Sequence, residues 1–155
     1  MRTQRDKIGA LFAIDLGNGQ FAFGRRVSKA ESVFYDYVTN EISPNTIKKA
    51  YESKIAFRTS AYKYAITSGR WEIVDSKEPL PPDLAKPKKY FIQDSITGSF
   101  SIYFDGDISP CTASDIEGLE CCAVWEPEHI EDRLRDHFAG RPNIWVESLK
   151  PKIFN

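Results

Sequence analysis

Ile8-Gly9-Ala10-Leu11-Phe12-Ala13-Ile14-Asp15-Leu16-Gly17-Asn18-Gly19-Gln20-Phe21-Ala22-Phe23-Gly24-Arg25 reads as two β-strands folded about Asn18-Gly19. Asn-Gly is the strongest short hairpin signal, because both central residues of a type I′ turn need positive φ, which Asn and Gly adopt at little cost. Folding there sets Leu16 opposite Phe21 and Ile14 opposite Phe23, four side chains on one face. The chain therefore begins as antiparallel β-structure. Gly17-x-Gly19-x-x-Ala22 also fits a loose dinucleotide-binding fingerprint. That motif must open a helix, and Phe21–Arg25 instead alternates with period two, so the hairpin is preferred.

Further along, Ser32–Val38 is rich in aromatic and β-branched residues and predicts a third strand. Ser43-Pro44-Asn45 opens a short helix through Ile47, Ala50 and Tyr51. Lys54–Arg58 alternates like a strand, Ala61–Ile66 fits a helical turn or a strand, and Trp71–Val74 is a further short strand. Pro79, Pro81, Pro82 and Pro87 exclude regular helix and predict an extended surface crossing. Tyr90–Gln93 and Ser99–Phe104 follow as strands with a turn at Thr97-Gly98, and Cys121–Trp125 is the last strand candidate.

The clearest helix begins at Pro127, with Glu126 and Glu128 complementing its positive end, and stops at Gly140-x-Pro142. Ile130, Leu134 and Phe138 form its buried stripe, and Glu131 and Arg135 an i,i+4 pair on the wet side. Glu128, Asp132 and Asp136 stand in a column of like charge, costing roughly 0.2–0.5 kcal/mol per pair. The expected fold is α+β: a strongly bent, mostly antiparallel sheet, with a partly barrel-like form as a variant, and this C-terminal helix packed on it. The expected hydrophobic cluster is Phe12, Ile14, Phe21, Phe23, Trp71, Phe100, Ile102, Val124, Trp125, Ile130 and Leu134.

The 155 residues suit one domain, 1–155, and an aromatic content of 13% favours a sheet-rich core. Net charge is −1, which argues neither for nucleic acid nor for a membrane surface. Its distribution is uneven. Residues 1–104 carry a net +5, residues 105–136 a net −8 and residues 137–155 a net +2. A dense acidic block is either a solvated face or a surface that meets a basic partner. Its candidate contact residues are Asp105, Asp107, Asp115, Glu117, Glu120, Glu128, Asp132 and Asp136.

Signals for chemistry are weak. The two histidines, His129 and His137, lie about 12 Å apart along one helix, too far to share a metal. Asp105-Gly106-Asp107 begins like a calcium loop, but the later Gly and Glu do not follow. Cys111, Cys121 and Cys122 are odd in number, with Cys121 and Cys122 on an apparent core strand, which predicts reduced thiols in a cytoplasmic protein. No nucleophile elbow or phosphate loop is present, and no catalytic residue, metal or cofactor is assigned. The N-terminal apolar run is too short and interrupted for a signal peptide, and nothing downstream would span a bilayer, so no membrane role is expected. The doublets Arg25-Arg26, Lys48-Lys49 and Lys88-Lys89, with Tyr35, Tyr37, Tyr62 and Tyr64, offer a rival function as a single-stranded nucleic-acid platform. A cysteine-dependent enzyme is a third option.

Three stretches carry a resemblance: Gly9–Arg25, Ser68-Gly69-Arg70-Trp71-Glu72-Ile73-Val74 with the proline-rich crossing, and Gly118-Leu119-Glu120 leading to Ala123-Val124-Trp125 and the helix with Ile130, Arg133 and Leu134. Together they resemble immunity proteins of bacterial polymorphic toxin systems, in the family numbered twenty-six. The resemblance implies a small cytoplasmic protein that binds and blocks one cognate toxin. With no constellation for chemistry in the sequence, the expected function is inhibition by steric occlusion, without turnover. Many such toxins are nucleases with basic clefts, which an acidic face would suit. The shared motifs concern packing, so the resemblance assigns no contact residue.

Overall fold

The computed structural model describes residues 2–154. In chain order the elements are β1 (Leu11–Asp15), β2 (Phe21–Arg26), β3 (Glu31–Thr39), α1 (Pro44–Glu52), β4 (Ile55–Ala61), α2 (Tyr64–Thr67), β5 (Glu72–Asp75), α3 (Pro82–Ala85), β6 (Lys89–Gln93), β7 (Phe100–Phe104), β8 (Asp107–Cys111), β9 (Val124–Trp125), α4 (Pro127–Ala139) and α5 (Ile144–Ser148). A 3-10 turn occupies Ala113–Ile116. The fold is α+β, as expected. These elements fall into two compact units, residues 2–85 with Val124–Asn143 and Lys86–Ala123 with residues 144–154.

The opening hairpin forms about Asn18 and Gly19, with φ of 48° and 79°, and Gln20 N–H closes it on Gly17 O at 3.0 Å. Its register is one residue away from the expected one. Asp15 pairs with Phe21, Ile14 with Ala22 and Ala13 with Phe23. Leu16 N–H also donates to Gln20 O (2.9 Å), so Leu16 and Gly17 both oppose Gln20. Gly17, at φ 79°, absorbs the extra residue as a bulge. Such a slip exchanges the faces of the strand. Phe23 shares a face with Leu11 and Ala13, while Ile14 shares the opposite face with Phe12.

Both faces of the first unit's sheet are covered. On one, Leu11, Ala13, Phe23, Val27, Val33 and Tyr35 pack with Ala50, under Ile47 and Tyr51 of α1 and Leu80 and Leu84 around α3. On the other, Phe12 stacks on Trp71 (5.3 Å between centroids) and meets Phe34 edge-on, and Phe34 stacks on Phe57 (4.9 Å). Gly24 lies between Phe12 and Phe34 in the ladder, and a Cβ there would stand 2.4 Å from the Phe12 ring. The helix α4 is tied to this second face through Trp71 and Leu16, and its Ile130 and Leu134 are fully buried.

The strand order is β5-β1-β2-β3-β4-β9, with β9 parallel to β4 and the other pairs antiparallel. Register shifts in β1–β5, β2–β3 and β3–β4 bend the sheet. It ends in edges at β5 and β9, so no closed barrel forms. At the β5 edge the Gln4 side chain acts as a short substitute strand. Its Nε2 donates to Trp71 O (2.5 Å), and its Oε1 accepts from Ile73 N–H (3.1 Å). Asp6, further along that segment, makes a two-bond ion pair with buried Arg26 (3.0 and 3.1 Å).

The second unit is built on the antiparallel sheet β6-β7-β8. Asp94 fixes the β6–β7 turn by accepting from Ile96 and Thr97 N–H, both at 2.8 Å. Asp105 and Gly106, at φ 49° and 88°, form the β7–β8 turn. What resembled the start of a calcium loop is thus a hairpin tip. Cys121 bridges Phe91 of β6 and Cys122 is exposed, so these cysteines leave the expected core strand. That strand shrinks to Val124–Trp125.

Of the expected cluster, Phe12, Ile14, Phe23, Trp71, Trp125, Ile130 and Leu134 are buried. Phe21 is half-buried, and Val124 is 54% exposed because alternation along β9 sends Trp125 inward and Val124 out. Phe100 and Ile102 are half-buried and belong to the second unit's own sheet. The proline-rich crossing is not wholly extended. Pro82 starts the single turn of α3, a position where its missing N–H costs nothing.

Candidate partner-binding surface

α4 is the element on which a surface is most firmly held. Pro127 sets its first turn, and Gly140, at φ 68°, ends it, with Arg141 N–H returning to Asp136 O (2.9 Å). Glu131 corrects the expected polar face, because it is buried at 6% exposure rather than paired with Arg135 in solvent. Its carboxylate accepts two bonds from Arg70 (2.7 and 2.8 Å) and one from Trp71 Nε1 (3.0 Å). The Glu131 bond raises the Arg70 pKa further. Arg135 instead bonds Asp132 (2.7 Å) and Leu16 O (2.8 Å).

The acidic column is laced with arginines. Glu128 lies 3.4 Å from Arg70, Asp132 2.7 Å from Arg135, and Asp136 3.1 Å from Arg141 with a further bond from Asn143 (2.9 Å). Exposed pairs of this kind contribute about 0–1 kcal/mol each, but they relieve the repulsion that the sequence implied. Arg70 comes from a loop some sixty positions away, which no helical wheel could reveal. At the far end of the helix, His137 Nε2 meets Asp36 of β3 at 2.8 Å.

The other five candidate acids belong to the second unit. Asp105 and Asp107 flank the exposed β7–β8 tip. Asp115 accepts from Thr112 N–H and its hydroxyl, both at 2.8 Å, and these bonds hold its carboxyl below the usual range. Glu117 is exposed and Glu120 half-buried. The eight candidates are therefore divided, three on α4 and five on the smaller unit.

Tyrosines and arginines of the rival platform are scattered. Arg25 and Arg26 are 3% and 2% exposed and bonded inside the first unit. Tyr35 is buried and Tyr37 stacks on Phe23. Tyr62 and Tyr64 alone of the four are exposed, at 45% and 46%, and their rings stack with centroids 6.1 Å apart. The Tyr64 hydroxyl donates to Glu126 (2.6 Å). This bond, with the charges of Glu126 and Glu128, pushes the phenol up to about 12.

Polar groups elsewhere are engaged structurally. A groove of about 650 Å³ between α1 and β5 is lined by Ile47, Tyr51, Val74, Asp75 and Lys77. In it Tyr51 donates to Asp75 (2.6 Å), and burial together with that bond raises the phenol pKa. Desolvation raises the thiol pKa of Cys111 and Cys121, which disfavours reactive thiolate. Among the described residues no His, Cys, Asp or Glu group is placed to hold a metal ion, and no helix is long and apolar enough to cross a membrane.

A doubly covered sheet, a helix pinned through the buried Glu131 carboxylate and exposed charge on that helix define a small α+β protein with surfaces suited to recognition. The family model of Immunity protein 26 matches residues 7–102, and the chain belongs to that family of immunity proteins. The match includes the opening hairpin and the Arg70-Trp71 stretch; α4 lies beyond it. No curated protein and no solved structure matches.

Proposed function

We propose that the whole chain acts as one immunity domain that binds and sterically blocks a cognate toxin domain of a polymorphic or contact-dependent inhibition system in the bacterial cytoplasm, without turnover. The family assignment carries this proposal. The uneven charge supports a toxin with a basic cleft, such as a nuclease, since complementary potentials steer association. The proposed contacts are Glu128, Asp132 and Asp136 on α4 and Asp105, Asp107, Asp115, Glu117 and Glu120 on the second unit.

The test is co-expression with, and titration against, the toxin domain encoded by the adjoining reading frame. Expected are rescue of growth and a tight complex whose affinity falls with salt. Charge reversal at Asp132 and Asp136 should weaken binding about tenfold or more and flatten the salt dependence. Unchanged affinity and salt dependence would remove α4 from the interface. Absence of any toxin binding would remove the function.

A further inference from the structure

The junction of β4, β9 and α2 presents apolar surface that the fold has no use for. Tyr62, Tyr64 and Val124 are 45%, 46% and 54% exposed. Tyr62 follows the last residue of β4, and its N–H donates to Trp125 O (3.0 Å), so its backbone is part of the ladder. Tyr64 opens α2, and Ala65 N–H returns to Tyr62 O (3.0 Å). Both rings are fixed: they stack on each other, and Glu126 holds the Tyr64 hydroxyl. Their order is thus present before any partner arrives, which removes part of the entropy cost of binding. Tyrosine is among the side chains enriched at the energetic centre of interfaces.

Charge selects the occupant. Glu126 and Glu128 border the rings. Arg70, whose charge also reaches the Tyr64 phenol, is committed to Glu131 and Glu128, and Lys63 stands exposed between the two tyrosines in the chain. A guanidinium would gain there both from the Glu126 and Glu128 carboxylates and from the ring faces. We propose that Tyr62, Tyr64, Val124 and Glu126 form the anchoring point for an arginine-bearing segment of the partner protein. The arginine lies on a tyrosine face with its charge toward Glu126, and its neighbours cover Val124. This rests on the immunity reading, in which the partner is the cognate toxin.

The experiment titrates the toxin domain of the adjoining reading frame with the full chain and four variants. Tyr62→Ala/Tyr64→Ala should weaken binding about thirtyfold or more, the size of an interface hot spot. Glu126→Gln should weaken it about fivefold with a flatter salt dependence, and Tyr64→Phe, which keeps the ring, less than threefold. Val124→Ser should fall between these. The four sites are at or near the surface, so circular dichroism and thermal midpoints should stay close to those of the parent chain. Full toxin affinity in the Tyr62→Ala/Tyr64→Ala variant overturns this anchoring point and leaves the immunity function standing. A parent chain that does not bind the toxin overturns both. Oligouridine binding by the parent chain that is lost in the same variant also overturns the proposal, because the rings would then serve nucleic acid.

Discussion

Glu131 carries a charge into the interior of the first unit, and three hydrogen bonds from Arg70 and Trp71 compensate it. Glu131→Gln keeps the shape but loses the charge-assisted bonds, so stability should fall by about 1.5–3 kcal/mol, read from the urea midpoint. Arg70→Ala should cost at least as much, about 2–3 kcal/mol, because it leaves the buried carboxylate without its cation while water can enter where the half-exposed guanidinium stood. A smaller loss for Arg70→Ala than for Glu131→Gln would contradict this ordering. Gly24 makes a second point at this scale. Its missing Cβ is the space into which the Phe12 ring lies. Gly24→Ala should therefore destabilise by about 1–3 kcal/mol through overpacking, with unchanged secondary structure by circular dichroism. In both cases the residue type is visible in the sequence but its partner is not: Arg70 lies some sixty positions from Glu131, and the register that sets Phe12 opposite Gly24 is one residue from the expected one.

Strand edges dominate the element scale. Phe104 and Asp107 flank a two-residue turn and so face each other as a hydrogen-bonded pair. By alternation Ile108 and Pro110 turn their backbone nitrogens away from β7, and Pro110 offers no N–H to a strand arriving at that edge. Pro110→Val should let copies of the chain pair there, seen as concentration-dependent association by light scattering; a strictly monomeric variant at high concentration would refute it. Gln4 protects β5 in another way, by supplying an amide where a strand would lie. Turns of the second unit should respond to acid. Asp94 and Asp115 accept backbone hydrogen bonds that hold their carboxyls below the usual range. A depressed carboxylate adds stability that is fully present above its unfolded pKa and is lost as pH falls through the folded value. Asp94→Asn with Asp115→Asn should therefore flatten the acid limb of this unit's stability, followed by amide exchange between pH 5 and about 2. An acid limb as steep as the parent's would assign the sensitivity to other groups.

At the scale of the whole molecule, the first unit is assembled from two separated stretches, 2–85 and Val124–Asn143. Truncation after Ala123 removes β9 and α4, together with α5 of the second unit, and uncovers the face built on Phe12, Phe34 and Trp71. The fragment should bind a hydrophobic dye and unfold without a sharp transition; a cooperative melt close to that of the full chain would show that α4 is dispensable. Local sequence was sufficient for β1 to β7, for α1 with its Ser43-Pro44 start, for α4 between Pro127 and Gly140, and for the type I′ turn at Asn18-Gly19, because each depends on neighbours within a few residues. It also supplied the acidic block and the family resemblance. No strand is expected at β8, whose Asp105-Gly106-Asp107 tip looks like a calcium loop and which carries Pro110, a residue that edge strands tolerate. The hairpin register and the burial of Glu131 were decided only by tertiary structure. A sheet covered on both faces has apolar residues at both parities, so alternation no longer chooses a register. A charged residue's burial depends on whether a distant cation and donor arrive beside it, and chain folding alone brings Arg70 and Trp71 to α4.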